Sequence, residues 1–117
     1  MPTLEVQTNV DASKLTPELA GKAAQVVADA LGKPKSYVIV SFKSAVMSMG
    51  GESGPTAIAH LGSIGKIDRE MNKKTSKALS AFLVKELGLP EDKFYIMFHN
   101  LNKENVGWKG TTFDDFL

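Results

Sequence analysis

The 117-residue chain has no cysteine, which excludes disulfides, thiol nucleophiles and thiolate metal sites. Neither sign of charge is in excess: Lys plus Arg total 14 and Asp plus Glu total 13, a formal net charge of +1. That balance lacks the basic surplus of nucleic-acid or anionic-membrane surfaces, so no nucleic-acid partner is expected. No segment approaches the roughly 20 consecutive apolar residues of a membrane-spanning helix, so no membrane insertion is expected either. The opening Met1-Pro2-Thr3-Leu4-Glu5-Val6-Gln7 alternates apolar and polar residues and lacks the basic start and apolar core of a secretory signal. A cytoplasmic location is the default, and export by an unconventional route without a signal peptide would leave no mark. The only histidines, His60 and His99, are expected on separate strands, so no metal site or Ser–His dyad is expected. Gly62-Ser63-Ile64-Gly65-Lys66 lacks the glycine spacing of a phosphate loop, and Ile67 stands where Ser or Thr is required.

What remains is an ordinary globular composition, 43% hydrophobic and 23% charged, expected to form one domain over residues 1–117. The pattern predicts a strand over Thr3–Val10, with Leu4, Val6 and Val10 on one face and Glu5, Gln7 and Asn9 on the other. Thr16 and Pro17 then suit the cap and first position of a helix whose apolar stripe is Leu19, Ala23, Val26, Val27, Ala30 and Leu31. Gly32 suits the left-handed residue after its end and Pro34 blocks continuation. Tyr37–Phe42 reads as a buried strand, and Met49–Pro55 as a Gly-rich loop. The second half repeats the plan. Ala57–Ile64 reads as a strand, Asp68 caps a helix to Leu87 with Met71, Ala78, Leu79, Phe82, Leu83 and Leu87 on its apolar face, and Lys93–Phe98 reads as a strand. A shift of 56 residues superposes Leu31-Gly32-Lys33-Pro34 on Leu87-Gly88-Leu89-Pro90, and Phe42 on Phe98. The expected fold is α+β: duplicated β-α-β units forming a four-stranded mixed sheet with two helices on one face, each crossover right-handed.

Two helices cover one face of such a sheet. Yet Val38-Ile39-Val40 and Phe94-Tyr95-Ile96-Met97-Phe98 are apolar at consecutive positions, which puts apolar side chains on both faces. The second face is expected to pack against another copy of the same sheet, or to be covered by the C-terminal tail.

Taken in order, Met1-Pro2, Gly32-Lys33-Pro34, Met49-Gly50-Gly51, Ser63-Ile64-Gly65-Lys66-Ile67, Asn105-Val106-Gly107-Trp108 and Thr112-Phe113 resemble the macrophage migration inhibitory factor family across nearly the whole chain. The resemblance implies a homotrimer whose sheets wrap into a central barrel. It also implies a keto–enol tautomerase of the phenylpyruvate or dopachrome type, acting on small aromatic 2-keto acids or their enols. Removal of Met1 would expose the Pro2 secondary amine as the general base, needing no metal and no cofactor. An amine neutral near pH 7 must be shifted down by burial or a nearby cation. Without the resemblance, Pro2 is merely the start of an edge strand.

Lys33 is implied as the residue that binds the substrate's oxygen. The corresponding position in the second repeat is Leu89, so the turn itself does not require lysine; otherwise Lys33 is a solvated residue near a helix C-terminus. Tyr95 is implied to reach the pocket of a neighbouring subunit, and the Ile64 backbone to contribute to it. Val106, Trp108 and Phe113 are implied as its apolar wall, with a tail over a sheet edge as the compatible structural role. The rival function that the resemblance implies is a secreted cytokine-like ligand of a cell-surface receptor, with weak or vestigial tautomerase activity. Several positions depart from the family pattern. Thr56-Ala57-Ile58-Ala59 replaces a Cys-x-x-Cys segment and removes its thiol chemistry. Met97 replaces a frequent pocket asparagine, Gly62 replaces a histidine and alters the expected pocket rim, and Asp114–Leu117 runs past the usual end.

Overall fold

The computed structural model describes residues 1–117. Its main elements are β1 (Pro2–Thr8), α1 (Pro17–Leu31), β2 (Ile39–Ser44), β3 (Ala57–Ser63), α2 (Arg69–Leu87) and β4 (Phe94–Asn100). The sheet order is β2-β1-β3-β4, with β1–β2 and β3–β4 parallel and β1–β3 antiparallel. Each parallel pair is one β-α-β unit, and the two units join through β1 and β3 at the centre. The mixed α+β sheet therefore has the expected composition. β1 is an interior strand, which corrects the reading of Pro2 as the start of an edge strand. Proline is still tolerated there because it is the first residue of the strand.

Helix boundaries follow their capping chemistry. The Thr16 hydroxyl accepts a hydrogen bond from Leu19 N–H with Pro17 at the first helical position, and the Asp68 carboxylate accepts one from Met71 N–H. Both helices end at a left-handed glycine, Gly32 (φ 64°) and Gly88 (φ 67°). The strands differ more from expectation. β2 begins at Ile39 rather than Tyr37, because Lys35–Tyr37 forms a 3-10 turn after Pro34. β1 stops at Thr8, whose hydroxyl donates to Thr56 O (2.9 Å) and accepts from Val10 N, turning the chain away from the ladder. β4 runs on to Asn100.

The core lies between the helices and one sheet face. Leu4, Val6, Ala57, Ala59, Leu61 and Phe94 meet Leu19, Ala23, Val27 and Leu31 of α1 and Leu79, Phe82, Leu83 and Leu87 of α2. Within the stripes, Ala24 and Ala28 are buried more deeply than Val26 and Ala30, and Thr75 is buried where Ala78 is only half-buried.

The opposite face stays open. Ile39 is 67%, Tyr95 63% and Met97 44% exposed. The C-terminal tail does not cover them. It folds on itself as a small hairpin, β5 (Gly107–Trp108) with β6 (Thr111–Thr112), followed by a turn over Phe113–Asp115. Of the two covers considered for this face, a tail lid is thereby excluded.

Candidate active site

The site is built where three elements end. Pro2, the first residue of β1, pairs with Ser63, the last of β3, and both side chains are buried on the helix side of the sheet. Lys33 follows the C-terminal glycine of α1. Its Nζ donates to the Ile64 carbonyl at 2.6 Å, one residue past the Pro2–Ser63 pair. The two repeats diverge here as their sequences do. Leu89 points into the core at 1% exposure, whereas Lys33 is half-buried with its ammonium held at the sheet end.

This cation acts on the chain terminus. The terminal ammonium of Met1 has its pKa lowered, first by desolvation and second by repulsion from Lys33. Lys33 is itself lowered, first by desolvation and then by Lys66. Lys66 sits in a left-handed backbone conformation (φ 63°) directly after Gly65 (φ 79°), and this turn brings the second ammonium toward the first. The arrangement withholds a proton from an amine and fixes a hydrogen-bond donor beside it. The Ser63 hydroxyl, buried beside Pro2, makes no hydrogen bond within the chain. Ser63 falls inside the strand expected over Ala57–Ile64, and only the strand register reveals its position beside Pro2.

The tail residues form a cluster of their own. Trp108 stacks on Phe113 (5.3 Å, 2°) and meets Tyr37 edge-on at 5.4 Å. Val106 accepts a hydrogen bond from Phe113 N–H at 3.0 Å. Phe116 closes on Trp108 at 5.0 Å, and Lys103 bridges to Asp114, so the residues past the expected end are integrated. Tyr37 lies two residues before the start of β2, whose Ile39 pairs with Thr3, so the cluster abuts the same sheet end as Pro2. A cleft there joins Ile64 to Leu101, Asn102, Lys103, Glu104 and Asp114.

Tyr95 is not brought to this site. It pairs with Ile58, five residues before Ser63 on β3, about 16 Å along the strand from Pro2. It also projects from the open face. Met97 shares that face, and Gly62 is buried, with the Thr3 and Leu101 side chains nearest to it.

The histidines lie on separate strands, as expected, but β3 and β4 are neighbours, and His60 Nδ1 lies 2.9 Å from His99 Nε2.

Residues 1–114 match the family model described as Macrophage migration inhibitory factor (MIF). The chain is 40% identical over 114 residues to macrophage migration inhibitory factor of Xenopus tropicalis, covering 97% of this chain and 99% of that protein. It is 39% identical to the macrophage migration inhibitory factor homolog of Trichinella spiralis, covering 97% and 100%. The solved structure of the Trichinella spiralis factor superposes with a TM-score of 0.90 at 36% identity, over 94% of this chain and 98% of that one. The homologue from Prochlorococcus marinus superposes equally well, at 0.90 and 29% identity, over 95% and 98%. No helix here is long and apolar enough to cross a membrane. With its mixed sheet, two helices and nearly full-length match, the chain belongs to the macrophage migration inhibitory factor family, of tautomerase-superfamily fold.

Proposed function

We propose that the protein is a keto–enol tautomerase of the phenylpyruvate or dopachrome type that uses the Pro2 amine as its general base after removal of Met1. The observation that carries this reading is the Lys33 ammonium, anchored to the Ile64 carbonyl beside the chain terminus, where desolvation first and this cation second lower the Met1 amine. Pro2 nitrogen, neutral at working pH, takes a proton from the carbon next to the substrate carbonyl. Lys33 stabilises the oxygen charge that develops, and the proton returns at the other end of the enol system. Trp108, Phe113 and Val106 supply an apolar wall for an aromatic substrate, and the Ile64 backbone orients Lys33.

The working unit is a homotrimer. The open sheet face with Ile39, Tyr95 and Met97 calls for a second copy. Tyr95 lies on the wrong face and about 16 Å along the strand from its own Pro2, so it completes the site of a neighbour. The test is phenylpyruvate tautomerisation by protein whose N-terminus has been verified by mass spectrometry, beside Pro2→Gly. Turnover by the processed protein and near-complete loss in a folded variant support the reading; retained turnover in the variant refutes it. Relatives are named for an action on macrophages, and the same variant separates a receptor-ligand role from catalysis, since a response that persists without turnover does not depend on Pro2.

A further inference from the structure

We infer that Phe116 is a positioning residue that sets the preference of the Pro2 site for aromatic substrates, acting through Trp108. The inference rests on the reading of Trp108 and Phe113 as the apolar wall of that site. Phe116 itself lies past residues 1–114, the extent of the family match. The chain does not trail away there. The Thr112 hydroxyl accepts a hydrogen bond from Asp114 N–H at 3.4 Å and opens the Phe113–Asp115 turn. Phe116 N–H and Leu117 N–H then both donate to the Phe113 carbonyl at 3.0 Å. Lys103 Nζ donates to Leu117 O at 3.0 Å and lies 3.7 Å from Asp114 Oδ1. Lys103 and Asp114 also line the cleft that contains Ile64, the anchor of Lys33. The added residues are therefore pinned at the lip of the site.

Their effect falls on one ring. Phe116 meets Trp108 edge-on at 5.0 Å and 69°, and meets Phe113 in the same manner at 6.2 Å and 68°. Tyr37 meets the indole edge-on at 5.4 Å, and Phe113 stacks on it at 5.3 Å. Phe116 thus completes a set of three rings that fixes Trp108. All of these contacts lie within one chain, so they hold whichever surfaces a neighbouring copy covers. A wall fixed in advance incurs little ordering cost when a substrate binds. Edge-on and offset-stacked contacts to a substrate ring depend on where the wall rings sit. Contacts to an aliphatic chain follow buried area and tolerate a shifted wall. Loss of Phe116 therefore weakens aromatic substrates and spares aliphatic ones. The Lys33–Ile64 contact that serves the chemistry does not involve it.

The test uses the full chain with removal of Met1 verified, as wild type, Phe116→Ala and Phe116→Tyr, each checked for folding and assembly. Both phenylpyruvate and the straight-chain six-carbon 2-keto acid are followed by deuterium exchange at the carbon next to the carbonyl. Phe116→Ala should raise KM for phenylpyruvate about three- to tenfold, with its kcat and the KM of the aliphatic acid within about twofold of wild type. Phe116→Tyr, which keeps the ring, should restore the wild-type preference. Trp108 is the only tryptophan, so its fluorescence reports the wall without any turnover. Its anisotropy should fall and its emission shift to the red in Phe116→Ala. A KM that rises equally for both acids, a loss confined to kcat, or an unchanged Trp108 signal would overturn the proposal. If the wild type turns over neither acid, the tautomerase reading fails separately, and calorimetric affinities for the two acids decide the role of Phe116. A weakening confined to phenylpyruvate upholds that role; a uniform weakening, no change, or no binding of either acid overturns it.

Discussion

Replacing Lys33 with Met keeps the aliphatic stem and removes only the ammonium. In stability terms the Ile64 carbonyl loses a charge-assisted donor at 2.6 Å. Such bonds contribute about 1.5–3 kcal/mol. Lys33 is half-buried, so water can replace part of the contact and the net loss should be about 1 kcal/mol. Against a total of about 5–15 kcal/mol the fold survives, and the melting temperature should fall by about 4–8 °C. The catalytic effect should be much larger, because loss of a donor to a developing oxyanion costs about 10²–10³ in kcat. The two effects therefore separate: a folded protein with a large loss of turnover. The pH profile carries an independent sign. A general base works when neutral, so kcat/KM falls as pH drops through the amine pKa. Desolvation and Lys33 both lower the Met1 amine of the unprocessed chain, and the same surroundings acting on the exposed Pro2 amine place the acid limb below the value of an unperturbed N-terminal proline. Removing Lys33 raises the amine pKa and moves the limb to higher pH, while desolvation, the larger cause, remains. The assay is phenylpyruvate enolisation followed by absorbance across pH. Wild-type turnover in Lys33→Met, or an acid limb that does not move upward, refutes the reasoning.

Other predictions test different parts of the account. Leu61→Ala, at a fully buried position (0% exposed) in the central β3, should cost about 2–5 kcal/mol in chemical denaturation; a loss below about 1 kcal/mol would contradict the placement of the core. Thr16→Ala removes the side-chain acceptor for Leu19 N–H and should cost about 1 kcal/mol, measured the same way. Ile39→Glu puts a charge on the open face and should shift sedimentation from trimer toward monomer without unfolding the chain, whereas an unchanged assembly would place the interface elsewhere. Mixing inactive Tyr95→Ala and Pro2→Gly subunits should restore part of the activity if each site draws Tyr95 from a neighbour; no recovery in verified mixed trimers would return Tyr95 to a structural role.

Periodicity and capping made the two helices legible nearly to the residue, because Thr16-Pro17, Asp68, Gly32 and Gly88 act through local chemistry. Strand ends were less legible. The 3-10 turn at Lys35–Tyr37 and the Thr8 hydroxyl bonds depend on tertiary partners that no local pattern encodes. The apolar runs through Ile39 and Tyr95 did reveal a second sheet face needing a cover, and the observed exposure of these residues agrees. At the site, the contrast of Lys33 with Leu89 between repeats marked the lysine as unnecessary for the turn. Its anchoring by Ile64, the repulsion from Lys66, and the position of Ser63 come from strand register and a left-handed turn, which bring together residues far apart in sequence. The histidine pair is not legible in the sequence for the same reason: the sheet order β2-β1-β3-β4 makes neighbours of strands that are far apart along the chain.

The central claim, that the amine exposed at Pro2 is a base held neutral by its surroundings, is tested most directly by titrating that amine. Processed protein labelled with ¹⁵N at proline reports the Pro2 nitrogen by NMR across pH, alongside kcat/KM for phenylpyruvate. The expected titration midpoint lies below that of an unperturbed N-terminal proline and coincides with the acid limb of the rate profile. An amine that titrates at or above the ordinary value, or an active enzyme whose rate ignores that titration, would contradict it.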